Sequence, residues 1–340
     1  DLLYFASGHL EMPAVMLTAS HNPAPYNGIK FCNSGARAIG VDTGLNQIRQ
    51  FAAKQANSTN SRGQTREVDL LERFVQHVHS FIDVDVLQPL KVVADTANGM
   101  GGHVLPATFD GLPFQLEILF EELDGTFPNH PADPIQPENL LDLRRKVIEV
   151  KADVGLAFDG DADRVFLVDE AANPISGSLT TALVALAILE REGPGPILHN
   201  LICSRATVEA IRRAGGHPIR TRVGHSYIKA LMAETGAAFG GEHSGHYYFA
   251  RNFGADSGLI AALIVLERLS TFGGSLSSLL APLNRYANSG EVNAEVADPS
   301  FVIEKVSAYF AGKPQDRLDG LTVDCGEWWV NLRPLSGWAA

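Results

Sequence analysis

Short apolar runs alternate with amphipathic stretches and glycine-rich turns along most of the chain. Residues 91–95 (KVVAD) read as a strand feeding the tight loop 98–102 (NGMGG). Residues 153–158 and 165–169 read as two more strands around an acidic turn. A stretch of helical composition, 180–191, is stopped by Gly193-Pro-Gly-Pro196. Strand–helix pairs follow at 196–199 with 207–214 and at 217–223 with 226–235. A short strand at 237–239 then precedes a loop, and 258–269 reads as a long apolar-faced helix. The tail turns β-rich, with strands expected at 291–296, 321–324 and 328–332. Residues 124–134 hold three prolines and read as an extended surface loop.

Strands alternating with helices predict layered α/β units with mixed or parallel sheets. Seams fall around 80–89, where one unit gives way to the next, and around 282–291, where the Gly/Ala-rich helices end. No short-period repeat is present.

Composition narrows the class. An apolar share of 45% with 19% charged residues supports sizeable cores and excludes a disordered chain. Against 27 basic residues stand 39 acidic ones, a net of −12, with no Lys/Arg run, so a nucleic-acid face is not expected. A phosphorylated ligand would have to be drawn by a few local cations or backbone amides, since the overall field repels it. Cys32, Cys203 and Cys325 stand far apart with no CxxC pair. That pattern predicts reduced, mostly buried thiols in a cytoplasmic protein rather than a disulfide frame or zinc site. The longest apolar stretch, 182–189, falls short of the ~18 residues a membrane helix needs. The chain opens at Asp1 without a basic-then-apolar leader pattern and reads as the middle of a longer protein.

Four segments can carry chemistry. The first, Thr18-Ala-Ser20-His21-Asn22-Pro23, is followed by Asn27-Gly28-Ile29-Lys30. A hydroxyl among Thr, His and Asn donors, with a lysine ten residues on, suits phosphoryl chemistry. Spacing alone fits an ordinary turn at least as well. The second, Asp159-Gly-Asp161-Ala-Asp163-Arg164, sits between two strands. Carboxylates at alternate positions of a tight loop converge on a hard cation and would otherwise repel one another, so the metal reading is preferred. With Glu170 these residues fall in an EF-hand register, but Arg164 stands where the loop glycine belongs and the flanks are strand-like, so that reading fails. Arg164 is instead placed to meet a phosphate.

The third segment, Gly240-Gly-Glu242-His243-Ser244-Gly245-His246, sets a carboxylate, a hydroxyl and an imidazole on a glycine-hinged loop able to grip vicinal sugar hydroxyls. His243 is as readily a solvated residue. The two histidines lack the HExxH register and a third ligand for zinc. The fourth, Arg222-Val-Gly224-His225-Ser226 with Lys229 a turn later, opens a helix whose N-terminus favours anions. A lone histidine there is more often structural.

In order and interval these blocks resemble the α-D-phosphohexomutase superfamily, in its phosphomannomutase/phosphoglucomutase branch. TASHNP with NGIK is similar to the phosphoserine loop, DGDADR to the metal loop and GEHSGH to the sugar loop; RVGHSYIK and DGTFPNHPADP are further matching blocks. The resemblance covers essentially the whole chain and outweighs the turn reading of Ser20. It implies three related α/β domains with mixed sheets plus a smaller, truncated C-terminal α+β domain. The corresponding division is 1–85, 86–172, 173–285 and 286–340.

The implied reaction moves a phosphoryl group between O1 and O6 of a hexose through a hexose 1,6-bisphosphate. Ser20 is then the phosphoryl carrier, and Asp159, Asp161 and Asp163 hold Mg²⁺ together with it. Lys30 is the proton shuttle, with His21 and His225 assisting. Arg164 orients near metal and phosphate, and Glu242, Ser244 and His246 hold sugar O3 and O4. Gly224, Lys229 and Arg333 complete the substrate contacts. The GExSGH form points to mannose or glucose phosphates, mannose first, as ligands of a monomer or weak dimer.

The ends depart from the family pattern. Only nineteen residues precede Ser20, and after Arg333-Pro334 the chain reads LSGWAA where the family carries a Ser/Asn/Thr run. A fragment with an impaired distal-phosphate clamp and weak turnover is therefore expected. Two rival readings stay open: a non-catalytic sugar-phosphate-binding protein, and an aspartate-based phosphatase using Asp159.

Overall fold

Strand Val154–Phe158 and strand Val165–Asp169 are buried at every position, as continuous apolar runs are when a sheet is covered on both faces. The computed structural model describes residues 1–23, 25–54 and 63–334, without the side chains of Asp42, His225 and Ser226. The residues after Pro334, on which the altered C-terminal loop was read, lie outside it.

The buried hairpin is the centre of a five-stranded mixed sheet. Its order is Gln115–Leu119, Lys91–Asp95, Val154–Phe158, Val165–Asp169, Pro174–Ile175; the first three run parallel and the rest antiparallel. Helix Leu141–Val150 covers one face, packing Leu143 and Val147 on Val93, Ala157 and Val168. The main core covers the other face and includes Phe74, Val78, Leu105, Leu183 and Leu263, from helices Leu71–His79, Gly101–Phe109, Gly177–Glu192 and Gly258–Phe272. Side chains buried this completely stabilise by about 1.5–3 kcal/mol each. Phe158 pairs with Val165, so the hairpin delivers residues 159–164 as one tight loop at its end.

A second sheet runs His217–Thr221, Pro196–Asn200, Phe239–Gly241, Tyr247–Phe249, parallel except for its last strand. Helix Gly177–Glu192 starts where Ser176 Oγ accepts from the Leu179 amide and stops at Gly193, which takes φ +87°. The N-terminal sheet is smaller: Ala14–Leu17, Ile29–Asn33 and Arg37–Ala38, all antiparallel. Its first strand alternates between half-buried and exposed, and helix Leu45–Ala53 buries no residue among those described.

The tail is a three-stranded antiparallel sheet, Gln315–Asp316, Leu321–Asp324 and Trp329–Leu332, beside helix Pro299–Tyr309. One expectation needs correction here, and one element needs adding. Residues 291–296 form no strand; they alternate in pattern but lie exposed with no partner edge among the described residues, Val292 being 85% exposed. The helix at 299–309, announced by the Asp298 cap and Pro299, belongs in the tail as well. The architecture is α/β with mixed sheets plus a small C-terminal α+β unit, as the sequence predicts. The cysteines are free, Cys32 and Cys203 buried and Cys325 partly exposed. No helix among the described residues is long and apolar enough to cross a membrane.

Candidate active site

Ser20 stands on the connection between strands Ala14–Leu17 and Ile29–Asn33. The connection closes where the Thr18 amide donates to the Gly28 carbonyl, 3.0 Å. Gly28 is required there, since a Cβ would lie 2.3 Å from the Thr18 carbonyl oxygen. Thr18 Oγ1 accepts from the Ser20 amide (2.8 Å) and donates to Asp161 Oδ2 (3.0 Å). This turn holds Ser20 at φ +54°, a left-handed conformation that costs a non-glycine residue ~1 kcal/mol. Its hydroxyl, half-buried, donates to Asp159 Oδ2 at 2.7 Å, and His21 Nδ1 lies 3.2 Å away. The Ser20 carbonyl rests on Gly160, where a Cβ would come within 2.2 Å.

The loop beneath is a platform of buried charge. Asp159, Asp161 and Asp163 are each at most 5% exposed, and one oxygen of each lies within 4.8 Å of the others. Lys30 Nζ bridges Asp161 Oδ2 and Asp163 Oδ2, 2.7 Å each. Arg164 turns back, its backbone amide 3.2 Å from Asp159 Oδ1 and its Nε 3.0 Å from Oδ2, with Asp133 at 3.7 Å on its outer side. Burial raises Asp161, helped by the charges of Asp163 and Asp159, to about 6 against the pull of Lys30. Burial would also raise Asp163, but Lys30 and His246 outweigh it and hold that carboxyl far below the usual range. Burial alone would lower Lys30; Asp163 and Asp161 hold it well above the ordinary lysine value. His21 is lowered by burial and then by Arg164.

One cation thus answers two carboxylates, while Asp161 Oδ1 and Asp163 Oδ1 are buried without a hydrogen-bond partner. Orphaned oxygens of this kind cost free energy unless something binds them. A set of hard oxygen donors with unused lone pairs fits a divalent cation such as Mg²⁺.

The sugar-loop segment joins strand Phe239–Gly241 to Tyr247–Phe249 and meets the platform directly. Arg164 and His246 form a backbone bridge, and the Val165 amide donates to the Gly245 carbonyl at 3.2 Å. His246 Nε2 lies 3.6 Å from Asp163 Oδ1, and its Nδ1 is 3.2 Å from Ser244 Oγ. Glu242 is turned inward: Oε2 accepts from Tyr248 Oη (2.7 Å), Oε1 from the Gly224 amide (3.2 Å) and Asn200 Nδ2 (3.4 Å). Glu242 thereby ties the sugar loop to the Arg222–His225 turn. His243 is held by Ser178 Oγ at 2.9 Å.

Lys229, expected among the substrate contacts, has a carboxylate partner of its own. Its ammonium pairs with Asp256 Oδ1 at 2.8 Å and is largely buried. Gly224, at φ +125°, opens helix His225–Thr235; the side chain of His225 lies outside the described residues. Arg333, from the last strand's end, lies 3.9 Å from Asp319 Oδ2, which also accepts from the Val223 amide at 3.1 Å. That brings Arg333 to the same turn. Asp133, Asn200, Tyr248 and Asp256 were missed in the sequence. Only Asp133 lay in a flagged segment, and only Asp256 carried another signal, preceding the helix cap Ser257.

A serine turn docked on buried carboxylates, with a polar loop from a third α/β unit beside them, is the layout of an enzyme site. Family models described as phosphoglucomutase/phosphomannomutase, alpha/beta/alpha domains I, II and III match residues 1–59, 72–173 and 176–286. The chain is 39% identical to a phosphomannomutase of Salmonella montevideo over 97% of its own length and 75% of that protein. It is 38% identical to a phosphomannomutase of Escherichia coli K12 with the same coverage. A crystal structure of a phosphoglucomutase/phosphomannomutase family protein from Burkholderia thailandensis superposes with a TM-score of 0.79 at 32% identity, over 93% of this chain and 68% of that one. The chain belongs to the phosphoglucomutase/phosphomannomutase family.

Proposed function

We propose that the chain is a phosphomannomutase that also accepts glucose phosphates, working through a phosphoserine at Ser20 and a hexose 1,6-bisphosphate. The observation that carries this reading is Ser20 Oγ held 2.7 Å from Asp159 on the rim of a buried carboxylate platform that one lysine only partly neutralises. A carrier hydroxyl needs such a setting. It must be reachable by substrate, and its phosphorylated form must meet charge that holds it.

Asp159, Asp161 and Asp163 are the residues that would hold Mg²⁺ with the phosphorylated serine, and the chemistry such an ion would supply there is neutralisation of phosphoryl charge. In each half-reaction the P–Oγ bond breaks as the bond from phosphorus to a free sugar hydroxyl forms. The hydroxyl proton leaves to a group of the site, and Ser20 Oγ takes one up. Lys30 is the proposed shuttle on the sugar side. His21, 3.2 Å from Ser20 Oγ and lowered in pKa by burial and then by Arg164, serves the serine side, and His225 is the second assisting histidine. Arg164 and, across the site, Gly224 and Arg333 meet the two phosphates. Ser244 and His246 contact sugar O3 and O4 with Glu242 bracing their loop. Groups common to both orientations of a bisphosphate allow it to turn over and return its other phosphate. The proposed domains follow the sequence division, 1–85, 86–172, 173–285 and 286–340.

The test is incubation with glucose 1,6-bisphosphate and Mg²⁺, followed by intact mass and phosphopeptide analysis beside a coupled assay with mannose 1-phosphate. Phosphate on Ser20 with turnover supports the mutase. Phosphate on Asp159 would show an aspartyl phosphatase, and an unmodified chain that binds the sugar phosphate a binding protein; either sinks the reading.

A further inference from the structure

Asp256 belongs to no motif, yet three parts of the site converge on it. It is 2% exposed, and a backbone bridge sets it opposite Tyr248, two residues along the strand from His246. Residues two apart share a face, so the carboxylate stands beside the His246 ring. Its two oxygens have different neighbours. Oδ1 meets Lys229 Nζ at 2.8 Å, and Oδ2 lies 4.0 Å from His246 Nε2. Lys229 is itself caged, 4.4 Å from the centre of the Tyr4 ring and 5.6 Å from that of Tyr248.

A buried ion pair is weak evidence for stability, because apolar residues of similar volume often serve as well. This one supplies direction. Lys229 fixes one carboxylate oxygen, which aims the other at the ring that bridges to Asp163 on one side and Ser244 on the other. The ring also stacks on Tyr248, centroids 6.2 Å apart at 20°. A lysine anchored on the helix that opens at Gly224 thereby sets the orientation of a histidine in the sugar loop.

We propose that Asp256, locked by Lys229, is a positioning residue that orients His246 toward the hexose, and that Lys229 acts through this pair rather than as a phosphate ligand. The proposal rests on the reading of His246 as a sugar contact. D256N keeps the shape and removes the charge. In the whole chain it lowers kcat/KM for mannose 1-phosphate about 10- to 100-fold, mostly through KM, as expected for an outer partner of a binding side chain. In an H246A background the same change costs less than about twofold, because the residue it acts through is gone. K229R, which keeps charge and reach, retains most activity, and K229M behaves like D256N. D256E, with the charge kept but displaced, is the second variant should D256N not fold.

An equal cost with and without His246 overturns the proposal, as does a drop in Tm with kcat/KM unchanged. If the wild-type chain turns over no hexose phosphate, the functional reading fails while this inference stays testable. The ¹⁵N ring resonances of His246 must shift in D256N, and unchanged resonances overturn it.

Discussion

The two halves of the contact between Ser20 and the carboxylates are built in opposite ways. The carboxylate hairpin, Val154–Phe158 and Val165–Asp169, is buried at every position and lies mid-sheet between covered faces. The serine hairpin, Ala14–Leu17 and Ile29–Asn33, is fully buried only at Cys32, with Leu17 81% and Ile29 53% exposed. A carboxylate cluster must be held against its own repulsion, which needs a rigid frame. The phosphoserine role proposed for Ser20 would need an arm that can give, and the lightly packed sheet suits it. Backbone strain does not separate the halves: Ser20 on the arm and Ala162 on the carboxylate loop both adopt the left-handed conformation, φ +54° and +58°.

The sharpest way to break this contrast is to remove one partner from each side. In a coupled-assay and calorimetry comparison, S20A abolishes turnover, by on the order of 10⁴-fold or more, with Tm near wild type. D163N comes close to it in turnover and also lowers Tm, because it breaks the buried pair with Lys30. Next in size are two leucines. L156A, in the platform strand at 0% exposure, costs about 3 kcal/mol in denaturant unfolding, whereas L17A, on the arm, stays within about 0.5 kcal/mol. Equal costs would remove the contrast. G160A tests the seam: its Cβ would strike the Ser20 carbonyl, so Ser20 phosphorylation slows about tenfold or more with little change in Tm.

The smallest effect concerns the loop that flanks both halves. His130 Nε2 lies 3.0 Å from Asp95 Oδ2. Burial lowers its pKa, but the hydrogen bond to Asp95 and the charge of that carboxylate prevail and raise it above the usual 6.5. A raised folded pKa means stability that is full below the unfolded value and lost as pH rises through the folded one. The Tm gap between wild type and H130Q is therefore wider at pH 5.5 than at pH 8; a gap that widens with pH refutes the assignment.

The same contrast explains what the sequence disclosed. The platform was legible because two continuous apolar runs bound an acidic turn, a pattern with few competing meanings. The arm was not: Ser20 in its turn reads like any loop, and only the other motifs singled it out. The tail misled because Val292 and Val296 alternate as a strand would but have no edge to pair with, and pairing is a tertiary fact. Asp256 and Asn200 stayed hidden for the same reason. Each is a lone polar residue beside apolar stretches, and its partner arrives from another element. Lys229 was found by motif, but its pairing with Asp256 was not, since spacing cannot show which way a side chain turns.

The uneven burial of the three thiols has a practical consequence. Cys32 is enclosed, and burial pushes Cys203 up to about 12, so neither offers a thiolate to a mild alkylating reagent. Cys325, partly open beside Trp328, is left as the addressable sulfur, and it sits on the sheet that carries Arg333. One maleimide dye would therefore label the C-terminal unit without mutagenesis.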